Sequence, residues 1–253
     1  MLRWLAVISI LSPALLFGVC RSDADDIIAV TEVWPPFRIQ EERDPDRLTG
    51  IDIDLLARIG AELGVTITVK RLPWARCLDF MKSGRADIIT GLAYTEDRAR
   101  YIRFSRQPYY TVAPAFFVRK GSGAVIRNYD DLYRFTIGYS IDSAYFEPFN
   151  SDKKLRKVGV STERQLIEML HQGHLPVIIG TDCNVEYDAA RLGVGSAIEK
   201  APYRPEQTTD LYIGISKKSA FLKQGDHMER FVEKLVKTGV VKKLTTRYLL
   251  QRE

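Results

Sequence analysis

The sequence predicts an α/β protein of two lobes with mainly parallel sheets, joined by a two-strand hinge. Three observations carry that expectation. Short β-rich runs alternate with amphipathic helical stretches along the chain, the pattern of strands linked by crossover helices. The alternation comes as two series, over about 27 to 110 and about 133 to 200. Between them, Tyr109 to Lys120 is extended and apolar with no helix start, which suits a strand crossing from one lobe to the other.

The expected strands are Ile27 to Glu32, Thr66 to Leu72, Ala86 to Gly91, Pro114 to Lys120, Phe135 to Ser140, Pro176 to Thr181 and Leu211 to Lys217. A helix capped by Asp52 and stopped at Gly64 places Leu55, Leu56, Ile59 and Leu63 on one face. A second helix starts at a Thr162 to Gln165 capping box and ends at Gly173. Near the end, Met228, Phe231, Val232, Leu235 and Val236 form one apolar stripe, closed by Gly239. If strand Leu211 to Lys217 returns to the first sheet, lobe one is discontinuous. It then holds residues 25–112 and 208–253, with lobe two at 113–207. A cleft between such lobes is where small-ligand sites form.

Residues 1–24 stand outside the fold. Arg3 followed by the apolar run Leu5 to Val19 reads as a secretory signal peptide, too short to span a bilayer, with cleavage expected after Ala24. Cys20 offers lipid attachment, but Val19 stands where such signals carry a small residue, so a soluble exported protein is the expectation. Without the leader only Cys77 and Cys183 remain, too few for a disulfide scaffold and read as small core residues.

Composition excludes several classes of function. At 253 residues with 45% hydrophobic and 27% charged side chains, the chain has enough apolar matter for two modest cores and is not disordered. Its formal charge of +5 could suggest a polyanion partner, yet acidic and basic residues are interleaved throughout, so no nucleic-acid partner is expected. His171, His174 and His227 make no ligand-spaced cluster with the cysteines, and no phosphate loop is legible, so neither metal nor cofactor is expected.

Several segments, taken in order, carry a resemblance: Leu48-Thr-Gly-Ile-Asp-Ile-Asp54, Gly84-Arg-Ala-Asp87, Thr95-Glu-Asp-Arg98, Phe104-Ser-Arg-Gln-Pro-Tyr109 and Leu211-Tyr-Ile-Gly-Ile-Ser-Lys217. Their order and spacing resemble the periplasmic solute-binding proteins of family 3, the polar amino-acid receptors of ABC importers. The Pro73-Trp-Ala-Arg76 piece is similar to a less defined branch of that family. The resemblance implies a monomer that captures a small polar ligand, an amino acid or related carboxylate, and presents its closed form to an ABC permease in the inner membrane.

The resemblance also implies a site. Arg98 follows closely on a strand end, where a guanidinium can hold a carboxylate in a bidentate contact, here the ligand's α-carboxylate. Thr90, Gly91 and Ala93 line the same turn; the last two lack hydroxyls, leaving Thr90 and main-chain groups to assist. On lobe two, Asp182, or Thr181 one position before it, fills the slot for the ligand's ammonium. Ile137 to Ser143 reads as a strand followed by a helix start, offering Ser143 and free amides to an anion, with Asp142 as a cap. Trp34, Phe37, Trp74, Tyr94, Tyr139 and Tyr145 are the aromatic residues at expected cleft edges, and Arg76 is a second candidate cation.

Two other functions fit the same fold. One is an exported enzyme similar to cyclic-acid dehydratases, with Asp182 or Glu186 as base; no nucleophile-base pair is legible to support it. The other is a ligand sensor for a membrane receptor.

Overall fold

Two β-sheets, each wrapped by helices, organise the chain in the computed structural model, which describes residues 26–250. The leader expected over residues 1–24, with Cys20 and the Ala24 cleavage point, lies outside the described residues. The first series runs β1 (Ile27–Thr31), β2 (Ile39–Gln40), β3 (Leu48–Thr49), α1 (Ile51–Leu63), β4 (Ile67–Arg71), α2 (Trp74–Ser83), β5 (Ile88–Ala93), α3 (Glu96–Ala99), β6 (Ile102–Phe104) and β7 (Tyr110–Val112). The second runs β8 (Pro114–Arg119), β9 (Thr136–Ser140), β10 (Arg156–Val160), α4 (Glu163–His171), β11 (Val177–Thr181), α5 (Asp182–Arg191) and β12 (Ile198–Lys200). The chain then closes with β13 (Thr209–Ser216), α6 (Gly225–Lys237) and α7 (Val240–Leu250).

The first sheet has the order β4-β1-β5-β13-β6, with β7 also paired to β13; the second has the order β10-β9-β11-β8-β12. In each sheet the parallel pairing is a three-strand core, β4-β1-β5 and β10-β9-β11. Strands β8 and β13, which bring the chain into each sheet across the boundary, pair antiparallel. Only Ala113 separates β7 in the first sheet from β8 in the second.

The chain passes between sheets twice, at Ala113 and between β12 and β13. The two passages lie side by side, since Val112 of β7 registers with Thr209 of β13. Thr209 also reaches the second lobe, its Oγ1 donating to the Tyr145 carbonyl at 2.7 Å.

Each sheet has its own apolar core. Around the first, Leu55, Leu56 and Ile59 of α1 and Met228, Val232 and Leu235 of α6 meet Ala29, Ile88 and Ile213. Around the second, Phe116, Ile137, Val177 and Ile179 pack with Phe146 and Phe149 on one face, while Leu166, Ile167 and Leu170 of α4 cover the other. Burying each such side chain contributes about 1.5 to 3 kcal/mol, so the helical stripes rather than helix propensity fix where the helices lie.

Two sequence expectations are corrected. Asp52 does not cap α1: the cap position is Gly50, and Asp52 sits inside the first turn, fully buried. Its carboxylate is taken by the buried Arg38 rather than by the helix amides. Nor does a helix begin after β9; residues 141–152 run through turns and irregular chain, and Asp142 takes a left-handed φ of 59°. The Thr162 cap is as expected, its Oγ1 accepting from the Gln165 amide at 3.2 Å.

Candidate functional site

The carboxyl ends of both parallel cores face one another across a cleft of about 480 Å³, part of it continuous with solvent. That edge is where open α/β sheets leave room for ligands, because the loops following the strands diverge there. Lobe one supplies Glu32 just beyond β1, Ala93 at the end of β5 and Val112 at the end of β7. Lobe two supplies Thr181 at the end of β11 and Glu163 at the start of α4.

Of the residues expected at the site, Trp34, Trp74, Gly91, Ala93, Arg98 and Ser143 line this cleft together. Arg98 is 5% exposed and donates from Nη1 to the Ala93 carbonyl at 2.8 Å. Its Nη2 donates across the cleft to the Asp142 carbonyl at 2.5 Å, and the Trp74 indole donates to that same carbonyl at 3.3 Å. The guanidinium lies 5.8 Å from the Trp74 ring centroid. The left-handed turn at Asp142 is what aims its carbonyl into lobe one; the expected helix would have presented amides there instead. At the far side of the cleft, Asn184 Nδ2 donates to the Pro35 carbonyl at 2.9 Å and Arg191 pairs with Glu42. The lobes are therefore closed on each other.

Other expected residues stand elsewhere. Asp182 is the first residue of α5; it turns toward Lys200 at 4.0 Å, while its Oδ1 accepts from the Cys183 amide, and it does not line the cleft. Thr181, the neighbour left open for the same slot, does line it, and its buried Oγ1 has no hydrogen-bond partner among the described residues. One residue decides this because Thr181 ends the strand pointing inward and the helix then turns the next side chain away. Arg76 is exposed on the outer face of α2. Tyr139 packs against the second core, and Tyr94 is 55% exposed against Phe104. Thr90 is buried just behind the lining; its Oγ1 has no partner among the described residues and its carbonyl accepts from Arg38. Phe37 is core, stacked on Trp34 at 4.7 Å, whereas Tyr145 lines the cleft. Glu186 is drawn outward to Lys200 at 2.6 Å, so neither proposed enzymatic base reaches this cavity.

Three charged lining residues escaped the sequence reading: Glu32, Arg38 and Glu163. Arg38 is 1% exposed and bonds Asp52 at 2.6 Å, the Thr90 carbonyl at 3.3 Å and the Glu32 carbonyl at 3.2 Å, with the Trp34 ring 4.9 Å away. Tyr109 completes the cluster, donating to the other Asp52 oxygen at 2.7 Å. Arg38 is thus neutralised by a resident partner, while Arg98 meets only neutral carbonyls in its hydrogen bonds. The signal for Glu32 was its place one residue past a strand, and for Glu163 its place inside the capping box.

Burial raises the Glu32 carboxyl to about 7, although Arg38 and the Trp74 amide pull it down. Glu163 is raised well above the ordinary carboxylate range, first by burial and then by the charges of Glu32 and Asp188, with the Trp34 indole and Arg38 opposing. Burial likewise pushes the Cys77 thiol up to about 12, as befits a core cysteine. No group of three His, Cys, Asp or Glu arranged to hold a metal ion occurs among the described residues. No helix among them is long and apolar enough to cross a membrane.

Known proteins share this architecture. The sequence is 32% identical over 169 residues to the arginine-binding periplasmic protein of Mannheimia haemolytica, covering 66% of this chain and 67% of that one. It is 27% identical over 143 residues to the L-cystine-binding protein TcyA of Bacillus subtilis (strain 168), 56% of this chain and 52% of that one. Among solved structures, the amino-acid ABC transporter substrate-binding protein AbpA of Streptococcus pneumoniae, bound to L-arginine, superposes with a TM-score of 0.78 at 22% identity, over 90% of this chain and 95% of that one. A histidine kinase sensor domain with similarity to periplasmic binding proteins reaches 0.78 at 18% identity, over 88% and 95%. At such identities the structures establish the fold. The family pattern establishes more, since it matches residues 27–251, nearly every residue that builds the two sheets and the cleft between them. By that match the chain belongs to the bacterial extracellular solute-binding proteins, family 3.

Proposed function

We propose that this protein captures an amino acid or closely related carboxylate between its lobes in the periplasm and delivers it to an ABC permease of the inner membrane. The observation that carries the reading is the charge pattern of the cleft. Arg98 and the acids Glu32 and Glu163 face one cleft walled by Trp34 and Trp74, so both signs of a zwitterion have partners. Arg98 has five N–H donors, of which the Ala93 and Asp142 carbonyls take two, and the remainder suit a ligand carboxylate. Relatives named for binding arginine and L-cystine fit the same class.

In this reading residues 25–112 with 208–253 form one moving body and residues 113–207 the other. Ligand first meets lobe one, and contacts available only on closure, those of Glu163 and Thr181, select the closed form. The act is capture without bond making, in keeping with relatives named as binding proteins.

The test is a thermal-shift screen of the purified protein against amino acids and small carboxylates, with mass analysis of each ligand after incubation. A true ligand at 100 times its Kd stabilises the fold by about 2.7 kcal/mol and is recovered unchanged. A screen in which no amino acid or carboxylate raises the melting point overturns the reading. A ligand recovered with altered mass replaces capture with catalysis.

A further inference from the structure

The cleft has one acid too many for a zwitterion. Arg38 and Asp52 cancel as a pair 2.6 Å apart, and Arg98 balances one carboxylate, leaving a second among Glu32 and Glu163. Among the described residues neither glutamate lies in an ion pair with any lysine or arginine. Glu163 is 9% exposed, lines the cavity, and its Oε2 has no hydrogen-bond partner among the described residues. A buried carboxylate in that state is unfavourable unless something supplies a counter-charge.

Resting on the amino-acid reading above, we propose that Glu163 and Glu32 form a socket, one carboxyl from each lobe, for a cationic group that the ligand carries in addition to its α-ammonium or in place of it. Glu163 is then a specificity-determining residue. A ligand of net charge +1 leaves the filled cleft neutral with both glutamates ionised, whereas a zwitterion leaves it neutral only when one of them stays protonated.

Proton release therefore accompanies capture of a cationic amino acid and not of a neutral one. The neighbours of Glu163 agree on the direction. Glu32 from lobe one and Asp188 from α5 raise its pKa along with burial, while the Trp34 indole and Arg38 oppose. Tyr145, on the loop after β9, is itself raised and stays neutral beside it. Asp188, raised to about 6 by burial, is held down by Arg164, Asn184 and Arg191.

The experiment is titration calorimetry of the full chain with L-arginine and L-glutamine between about pH 5.5 and about pH 8, in buffers of different ionisation enthalpy, which count protons released. L-Arginine affinity is expected to rise with pH by up to about tenfold per unit while a proton leaves, and L-glutamine affinity to stay level or fall. Glu163→Gln is expected to weaken L-arginine about 10- to 100-fold and flatten its pH slope, with a smaller loss for L-glutamine. Unchanged L-arginine affinity in Glu163→Gln, or a flat profile in the wild type, overturns the socket. Glu32→Gln carries the same test from the other lobe should the first variant fold poorly. L-Glutamine binding with no pH-linked preference for L-arginine overturns the socket alone, whereas silence from both probes and from every other amino acid overturns the amino-acid reading beneath it.

Discussion

Gly91 and Arg38 occupy adjoining space so closely that a Cβ on Gly91 would lie 2.2 Å from Arg38 Nη1, at a backbone φ of +68°. The strand end that walls the cleft can exist only because that residue has no side chain. The same contact lets the guanidinium reach Asp52 and the Thr90 carbonyl.

Gly91→Ala is therefore expected to destabilise the protein by about 2 to 4 kcal/mol, combining a disfavoured left-handed residue with overpacking against a pinned side chain. Urea unfolding followed by circular dichroism measures it. A midpoint equal to wild type would mean that Arg38 is free to move.

The buried cluster makes a graded prediction. Asp52→Ala strands the Arg38 charge and is expected to cost about 3 to 5 kcal/mol, whereas Tyr109→Phe removes one hydrogen bond to a charged acceptor and costs about 1.5 to 3 kcal/mol. A double-mutant cycle should show coupling, because both act through the same carboxylate. Strict additivity would contradict the network.

Stability of the ligand-free protein should fall as pH rises through the cleft acids' range. Glu32 has a folded value of about 7 against 4.5 as its ordinary value, and Asp188 about 6 against 3.8. The folded state then holds more protons than the unfolded one between those values, so stability is fullest near the lower value and lost on the way to the higher. Exposed carboxyls held low by partners, such as Asp226 beside Arg103, lose their contribution only under stronger acid. Melting points should drop between about pH 5 and about pH 7, with a shallower drop in Glu32→Gln. A melting point that climbs over this window would count against the buried placement of these acids.

Closure should depend on a main-chain atom at Asp142. Arg98→Ala is expected to weaken ligand binding by about two to three decades, the effect of removing one partner of a buried charge-assisted contact. Asp142→Gly keeps the carbonyl and suits a φ of 59°, so its stability and binding should stay within about 1 kcal/mol of wild type. Asp142→Pro, which cannot adopt positive φ, should open the cleft and enlarge the radius of gyration seen by small-angle scattering. Equal behaviour of the glycine and proline variants would remove this turn from the closing mechanism.

Local chemistry along the chain was enough to place seven of the thirteen described strands, the apolar helix stripes and the Thr162 cap, because periodicity, turns and caps act over a few residues, while the Arg98 position came from the resemblance to family 3. Together with the resemblance it brought eight cleft residues to notice: Trp34, Trp74, Gly91, Ala93, Arg98, Ser143, Tyr145 and Thr181. What lay beyond it were contacts between distant segments. Glu32 and Glu163 are separated by more than half the chain, and no local pattern reveals that they share one cavity or that Asp182 finds Lys200 instead. Nor does a pattern reveal that Arg38 spends its charge on Asp52, for that depends on how α1 docks against the turn after β1. The sequence by itself determined which elements form and which edge of each sheet carries function. Only the tertiary structure decided which charges are paired, because burial and partnership arise when separate lobes exclude water from the space between them.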